Sequence, residues 1–121
     1  MPGTVLVVDD SRTIRTLVGR ALTSGGYHMV EAVDGVDALA KIGGDPAPSL
    51  IICDINMPNM NGLDFLDNLR NQGSALPVVI LTSDPQPQLV DLARTRGASA
   101  WVSKPFKPDS LLSAIQALLA A

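Results

Sequence analysis

Apolar residues follow two alternating patterns along this chain. Short unbroken runs at 4–8, 50–53 and 78–81 each stop abruptly at a polar side chain. A run of this length, rich in β-branched residues, marks a strand buried on both faces of a parallel sheet. Between the runs, apolar residues recur every three or four positions, the stripe of an amphipathic helix. Ser11 caps the first helix, with Ile14, Leu17, Val18, Ala21 and Leu22 on one face and Gly25-Gly26 as its stop. A weaker strand is expected over 28–33, then a short helix with Val36, Leu39 and Ile42 inward. The third helix turns Leu63, Leu66 and Leu69 inward. The fourth carries Leu89, Val90, Leu92 and Ala93 and stops at Gly97. Pro85 and Pro87 both fall in its first turn, and one proline more than position N1 accommodates should shift or loosen its start. A strand over 100–103 and a helix over 108–120, with Leu111, Leu112, Ile115, Leu118 and Leu119 inward, complete the series. Five strands alternating with five helices predict one domain over residues 1–121, a doubly wound α/β fold with a five-stranded parallel sheet.

The polar groups that end the strands carry the candidate chemistry. They are Asp9-Asp10, Asp54, Thr82-Ser83-Asp84 and Lys104-Pro105. All strands of a parallel sheet present their carboxyl ends at one edge, so these groups can converge although they are up to about 95 positions apart. Three carboxylates brought together repel one another, and a divalent cation with one ammonium relieves that repulsion. Oxygen ligands alone suit Mg²⁺. A carboxylate beside Mg²⁺ and a lysine can attack phosphorus, and phosphoryl transfer asks mainly for positioning and charge neutralisation. Asp54 is placed for this, with Lys104 and the Thr82 hydroxyl available to phosphoryl oxygens. The loop after Asp54 contains Asn56, Met57-Pro58 and Gly62, and its proline biases Met57 away from helix.

Composition narrows the setting. In 121 residues, 46% hydrophobic with few aromatics, an aliphatic core is expected without covalent staples, and the single Cys allows no internal disulfide. Without a leader or an apolar run near 18 residues, a soluble cytoplasmic protein with no membrane insertion is expected. Twelve acidic residues face nine basic ones, and no Lys/Arg cluster points to direct nucleic-acid binding. Arg12, Arg15 and Arg20 fall opposite the apolar stripe of the first helix, as a solvated face bordering the acidic edge. His28, the sole histidine, is expected to be a strand residue near the surface.

From Val5 onward the chain resembles response-regulator receiver domains, most closely their CheY-like single-domain members. The matching motifs are Val-Val-Asp-Asp-Ser at 7–11, Asp-Ile-Asn-Met-Pro-Asn-Met-Asn-Gly at 54–62, Leu-Thr-Ser at 81–83 and Lys-Pro-Phe at 104–106. The resemblance implies a flavodoxin-like strand order 2-1-3-4-5. It implies Asp54 as phospho-acceptor and Mg²⁺ held by Asp10, Asp54 and the backbone carbonyl of Asn56, with Asp9 helping through water. It implies Lys104, ahead of a cis peptide, and Thr82 as phosphoryl-binding groups, and Thr82 with Trp101 as the switch. Asn56, Ser83 and Asp84 would modulate access to the phosphoryl group. Ser83 is larger than the very small residue usual there and should slow access, Trp101 is bulkier than the usual aromatic, and Pro85 and Pro87 should alter how the fourth helix responds. A histidine kinase or phosphotransfer protein would be the donor, and a downstream protein would read the fourth helix, fifth strand and fifth helix. The implied protein is no enzyme beyond its own phosphorylation and dephosphorylation. It would be a chemotaxis-like messenger, a phosphorelay shuttle or sink, or a receiver from a longer regulator. A haloacid-dehalogenase-type phosphatase needs Asp-x-Asp, which Asp9-Asp10-Ser11 and Asp54-Ile55-Asn56 lack. A flavodoxin-type flavin site would set its phosphate where Asp9-Asp10 stands.

Overall fold

The computed structural model describes residues 3–44, 47–83 and 86–119. Strands β1 (Thr4–Val8), β2 (His28–Ala32), β3 (Leu50–Cys53), β4 (Val78–Thr82) and β5 (Ala100–Ser103) form one parallel sheet in the order β2-β1-β3-β4-β5. Helices α1 (Arg12–Ser24), α2 (Gly35–Ile42), α3 (Gly62–Asn71), α4 (Pro87–Thr95) and α5 (Pro108–Leu119) connect or follow the strands. The fold is the expected doubly wound one.

Alternation along the central strands divides the core in two. Val5, Val7, Leu50, Ile52, Val79 and Leu81 face α1 and α5, meeting Val18, Ala21, Leu22, Leu111 and Ile115. Leu6, Val8, Ile51, Cys53, Val78 and Ile80 face the other three helices, meeting Ala38, Phe65, Leu66, Leu69 and Ala93. Both faces of β1, β3 and β4 are buried, and this is why those strands read as unbroken apolar runs. Edge strand β2 is only partly covered and reads more weakly.

Caps set the helix starts. The Ser11 side chain accepts from the Ile14 N–H, Asp34 caps α2 and Asn61 caps α3. The fourth helix begins at Pro87, the second of its two prolines, with no side-chain cap; Pro85 lies outside the described residues. One expected inward position is corrected: Val36 is exposed, as are Leu17 and Leu92 of the apolar stripes of α1 and α4, while Val18, Leu22, Ala38 and Ala93 are among the buried members. A stripe is wider than the strip of helix that meets the sheet, so residues at its margin stay in water. Val33 also falls outside β2 and is exposed.

Candidate functional site

The sheet's carboxyl edge gathers the predicted groups. Beyond β1, the Asp9 N–H donates to the Ala32 carbonyl of β2 at 3.1 Å; beyond β3, the Asp54 N–H donates to the Val8 carbonyl at 3.0 Å. These bonds continue the ladder by one residue, so both carboxylates leave the sheet from fixed backbone. Oxygens of Asp9, Asp10 and Asp54 lie within 4.8 Å of one another, with Asp10 exposed and the other two buried. Across this group lies Lys104, whose Nζ is 2.9 Å from Asp9 Oδ2 and 3.4 Å from Asp54 Oδ2. Side-chain exposure is 13% for Lys104, 3% for Asp9 and 9% for Asp54, so these charges meet largely out of water.

Backbone bonds also place the lysine. The Lys104 N–H donates to the Thr82 carbonyl at 2.7 Å, and its peptide to Pro105 is cis. Thr82 is buried at the end of β4, beside Ser103 of β5. Ser83 is exposed, and Asp84 lies outside the described residues. Burial pushes the Asp54 carboxyl above its ordinary range; Lys104 pulls it back, Asp9 pushes it up, and an N–H bond from Asn56 pulls it down. Next to it, the buried Cys53 thiol is pushed far up by burial and then by the charges of Asp54 and Asp9, so it remains a thiol. It donates to the Asp54 carbonyl at 3.1 Å.

Gly62 permits the turn after Asp54. Its N–H donates to the Ile55 carbonyl at 2.8 Å, and a Cβ there would lie 2.5 Å from the Asp54 carbonyl oxygen. Trp101, opposite Ile80 in the β4–β5 register, is partly buried against the α3–α4 side of the core. Among the described residues no hydrogen-bond partner meets its buried indole N–H. Arg15 is corrected. Its side chain is 12% exposed, donates from Nη1 to the Asp9 carbonyl at 2.7 Å and pairs through Nε with Glu31 at 3.1 Å. Helical phase put it on the polar face, but its length lets the guanidinium fold back over the end of β1. Sequence reading also passed over Asp34 and Asn59, which bond across the loop after Asp54 at 2.7 Å. Asn59 stands in the sequence only as part of the 54–62 motif, and nothing local marks Asp34 as its partner.

A carboxylate fixed beside an ammonium, with two further carboxylates able to hold a hard cation, offers the charge neutralisation and positioning that phosphoryl transfer asks for. The family model described as the response regulator receiver domain matches residues 5–116. The chain belongs to this family. The receiver domain is 36% identical over 119 residues to the response regulator MprA of Mycobacterium sp. (strain KMS), a match covering 98% of this chain and 51% of that protein. It thus spans about half the length of such relatives. Among solved structures it is similar to the chemotaxis protein CheY4 of Vibrio cholerae, with 37% identity, a TM-score of 0.90, and coverage of 98% of this chain and 99% of that one. A putative response regulator from Chloroflexus aurantiacus J-10-fl shares 28% identity at a TM-score of 0.93, over the whole of both chains. The phosphatase and flavin-protein alternatives fall away with this membership.

Proposed function

We propose that residues 1–121 act as one cytoplasmic receiver domain in which Asp54 accepts a phosphoryl group and thereby alters a partner-binding surface. The observation that carries this is the placement of buried Asp54, 3.4 Å from the Lys104 ammonium and within 4.8 Å of oxygens of Asp9 and Asp10. The donor is a phosphohistidine of a histidine kinase or phosphotransfer protein. An Asp54 oxygen attacks phosphorus, a P–O bond forms as the P–N bond breaks, and the imidazole nitrogen leaves with the electron pair and takes a proton. Lys104 and the Thr82 hydroxyl bind phosphoryl oxygens. The donor set is all oxygen, which fits Mg²⁺ held by Asp10, Asp54 and the Asn56 carbonyl, with Asp9 assisting through water. Bound there, Mg²⁺ would neutralise the carboxylates and the transferring oxygens. Asn56 and Ser83 modulate access of donor and water, a role proposed on sequence grounds for Asp84 as well, which lies outside the described residues.

A cavity of about 460 Å³ opens beside Lys104, lined by Ile14, Leu17, Ala21, Phe106 and Pro108, and offers the donor protein an apolar seat. On the output side, Thr82 draws toward the new phosphoryl group and Trp101 repacks, changing the α4–β5–α5 surface that a downstream protein reads. The cavity of about 100 Å³ between α4 and β5, bordered by Val90, Arg94 and Trp101, supports such a movement. Likeness to a chemotaxis protein over 99% of its length favours a messenger of that kind. The domain catalyses only its own phosphorylation and dephosphorylation.

The test is labelling by a small acyl phosphate, read by intact mass. One adduct that requires both Mg²⁺ and Asp54 is expected. No adduct, or labelling that survives Asp54→Asn unchanged, would overturn the assignment.

A further inference from the structure

The loop after Asp54 is held in three places. At its base the Gly62 N–H donates to the Ile55 carbonyl at 2.8 Å. In its middle Met57 and Met60 pack on the core, and Met60 covers Gly35 so closely that a Cβ there would meet its Sδ at 2.8 Å. At its tip Asn59 Nδ2 donates to Asp34 Oδ2 at 2.7 Å. Asp34 is buried, and its other oxygen accepts from the Asp37 N–H at 2.8 Å, capping α2. One carboxylate therefore serves two elements, with its position set by the helix and its second oxygen turned to the loop. Asn59 has φ 65°, the one non-glycine with positive φ among the described residues, a conformation asparagine tolerates better than most.

We infer that Asp34 and Asn59 are positioning residues for the acceptor site. Their bond ties the loop to α2 and so holds Asn56, three positions before Asn59 and two after Asp54. The inference rests on the Mg²⁺-binding reading above, because Asn56 supplies the carbonyl in that ligand set. A hard cation with near-octahedral demands tolerates little displacement of a ligand. Without the tip bond, the segment between Ile55 and Gly62 keeps its methionine anchors and the Asn61 cap of α3, and the stretch before Asn61 opens more often. A charge-assisted bond with one exposed end should then cost roughly three- to tenfold in Mg²⁺ affinity when lost.

Two variants separate positioning from stability. Asn59→Gly accepts positive φ without strain, so it removes the bond without straining the backbone, and the loop freedom that glycine adds is controlled by the second variant. In the reciprocal pair Asp34→Asn with Asn59→Asp, the introduced amide can donate to the introduced carboxylate while its oxygen keeps the α2 cap, at unchanged net charge. Mg²⁺ titration by calorimetry is combined with amide hydrogen exchange of the metal-free protein. Asn59→Gly should bind Mg²⁺ roughly three- to tenfold more weakly and exchange faster across 56–61, with exchange in β1, β3 and β4 unchanged. The reciprocal pair should recover both. Wild-type Mg²⁺ affinity in Asn59→Gly overturns the inference, as does a folded reciprocal pair that recovers nothing; should the pair not fold, Asn59→Gly decides alone. A wild-type protein that takes up no Mg²⁺ overturns the metal reading itself, and this inference with it.

Discussion

Lys104→Met tests whether the acceptor edge is held by opposing charges. The ammonium lies 2.9 Å from Asp9 and 3.4 Å from Asp54, and all three groups are largely dry. At an effective dielectric of about 20, these separations correspond to attractions of roughly 6 and 5 kcal/mol. Desolvating the ammonium costs several kcal/mol in return, and breaking a buried pair typically costs about 3–5 kcal/mol net. With the lower end taken for a site open at Asp10, the metal-free variant should lose about 3 kcal/mol, or roughly 10 °C of melting temperature for a domain of this size. The loss should have a charge signature. Adding Asp54→Asn should return part of it, because one of the two stranded carboxylates is gone. Mg²⁺ at about ten times its dissociation constant adds about 1.4 kcal/mol to any folded state that binds it. Lys104→Met should gain more than the wild type from equal Mg²⁺, since a competing cation has been removed. Thermal unfolding of wild type, Lys104→Met and the double variant, with and without chelator, measures all of this. A loss below about 1 kcal/mol, or one that ignores both Mg²⁺ and Asp54→Asn, would refute the reasoning.

Asp54 should also make stability depend on pH. Burial raises its folded carboxyl above the ordinary 3.8, so between 3.8 and the folded value the native state holds the proton that the unfolded chain has released. Metal-free stability therefore falls as pH rises through that window, and Asp54→Asn should remove the fall, its advantage over wild type growing from about pH 4 upward and levelling off above the folded value; parallel melting curves of the two from about pH 4 upward contradict it. Gly62→Ala would set a Cβ 2.5 Å from the Asp54 carbonyl oxygen and 2.8 Å from the Ile55 Cα. Backbone must give way there, so about 2–3 kcal/mol of stability and most acyl-phosphate labelling should be lost, and wild-type melting together with wild-type labelling counts against the placement. Arg70 donates to the carbonyls of Ser74, Leu76 and Gly97, at the sheet edge away from Asp54. Arg70→Met should cost about 2–3 kcal/mol yet leave labelling per folded molecule unchanged, and loss of labelling at unchanged stability would show that the two edges are coupled.

By itself the sequence determined the five strands, the five helices and the shared edge of Asp9, Asp10, Asp54, Thr82 and Lys104. Burial of a central parallel strand on both faces leaves an unbroken apolar run, and the end of that run marks the sheet's edge, so Cys53-Asp54 and Val8-Asp9 could be read directly. Caps such as Ser11 are local for the same reason, since their partners lie within one turn. Only the tertiary structure decided which apolar residue of each stripe meets the sheet. Val36, Leu17 and Leu92 fit helical periodicity, but they lie at the margins of their stripes, and Ala38, Val18, Leu22 and Ala93 meet the core instead. Long side chains were illegible in another way. Arg15 occupies a polar phase of α1 yet reaches the Asp9 carbonyl, because helical phase fixes a Cβ and leaves the guanidinium several bonds of freedom. The Asp34 to Asn59 bond joins residues 25 positions apart through two turns of common composition. Periodicity reports burial against the nearest layer of structure. A bond between two loops depends on how the layers stack, and only the folded chain sets that.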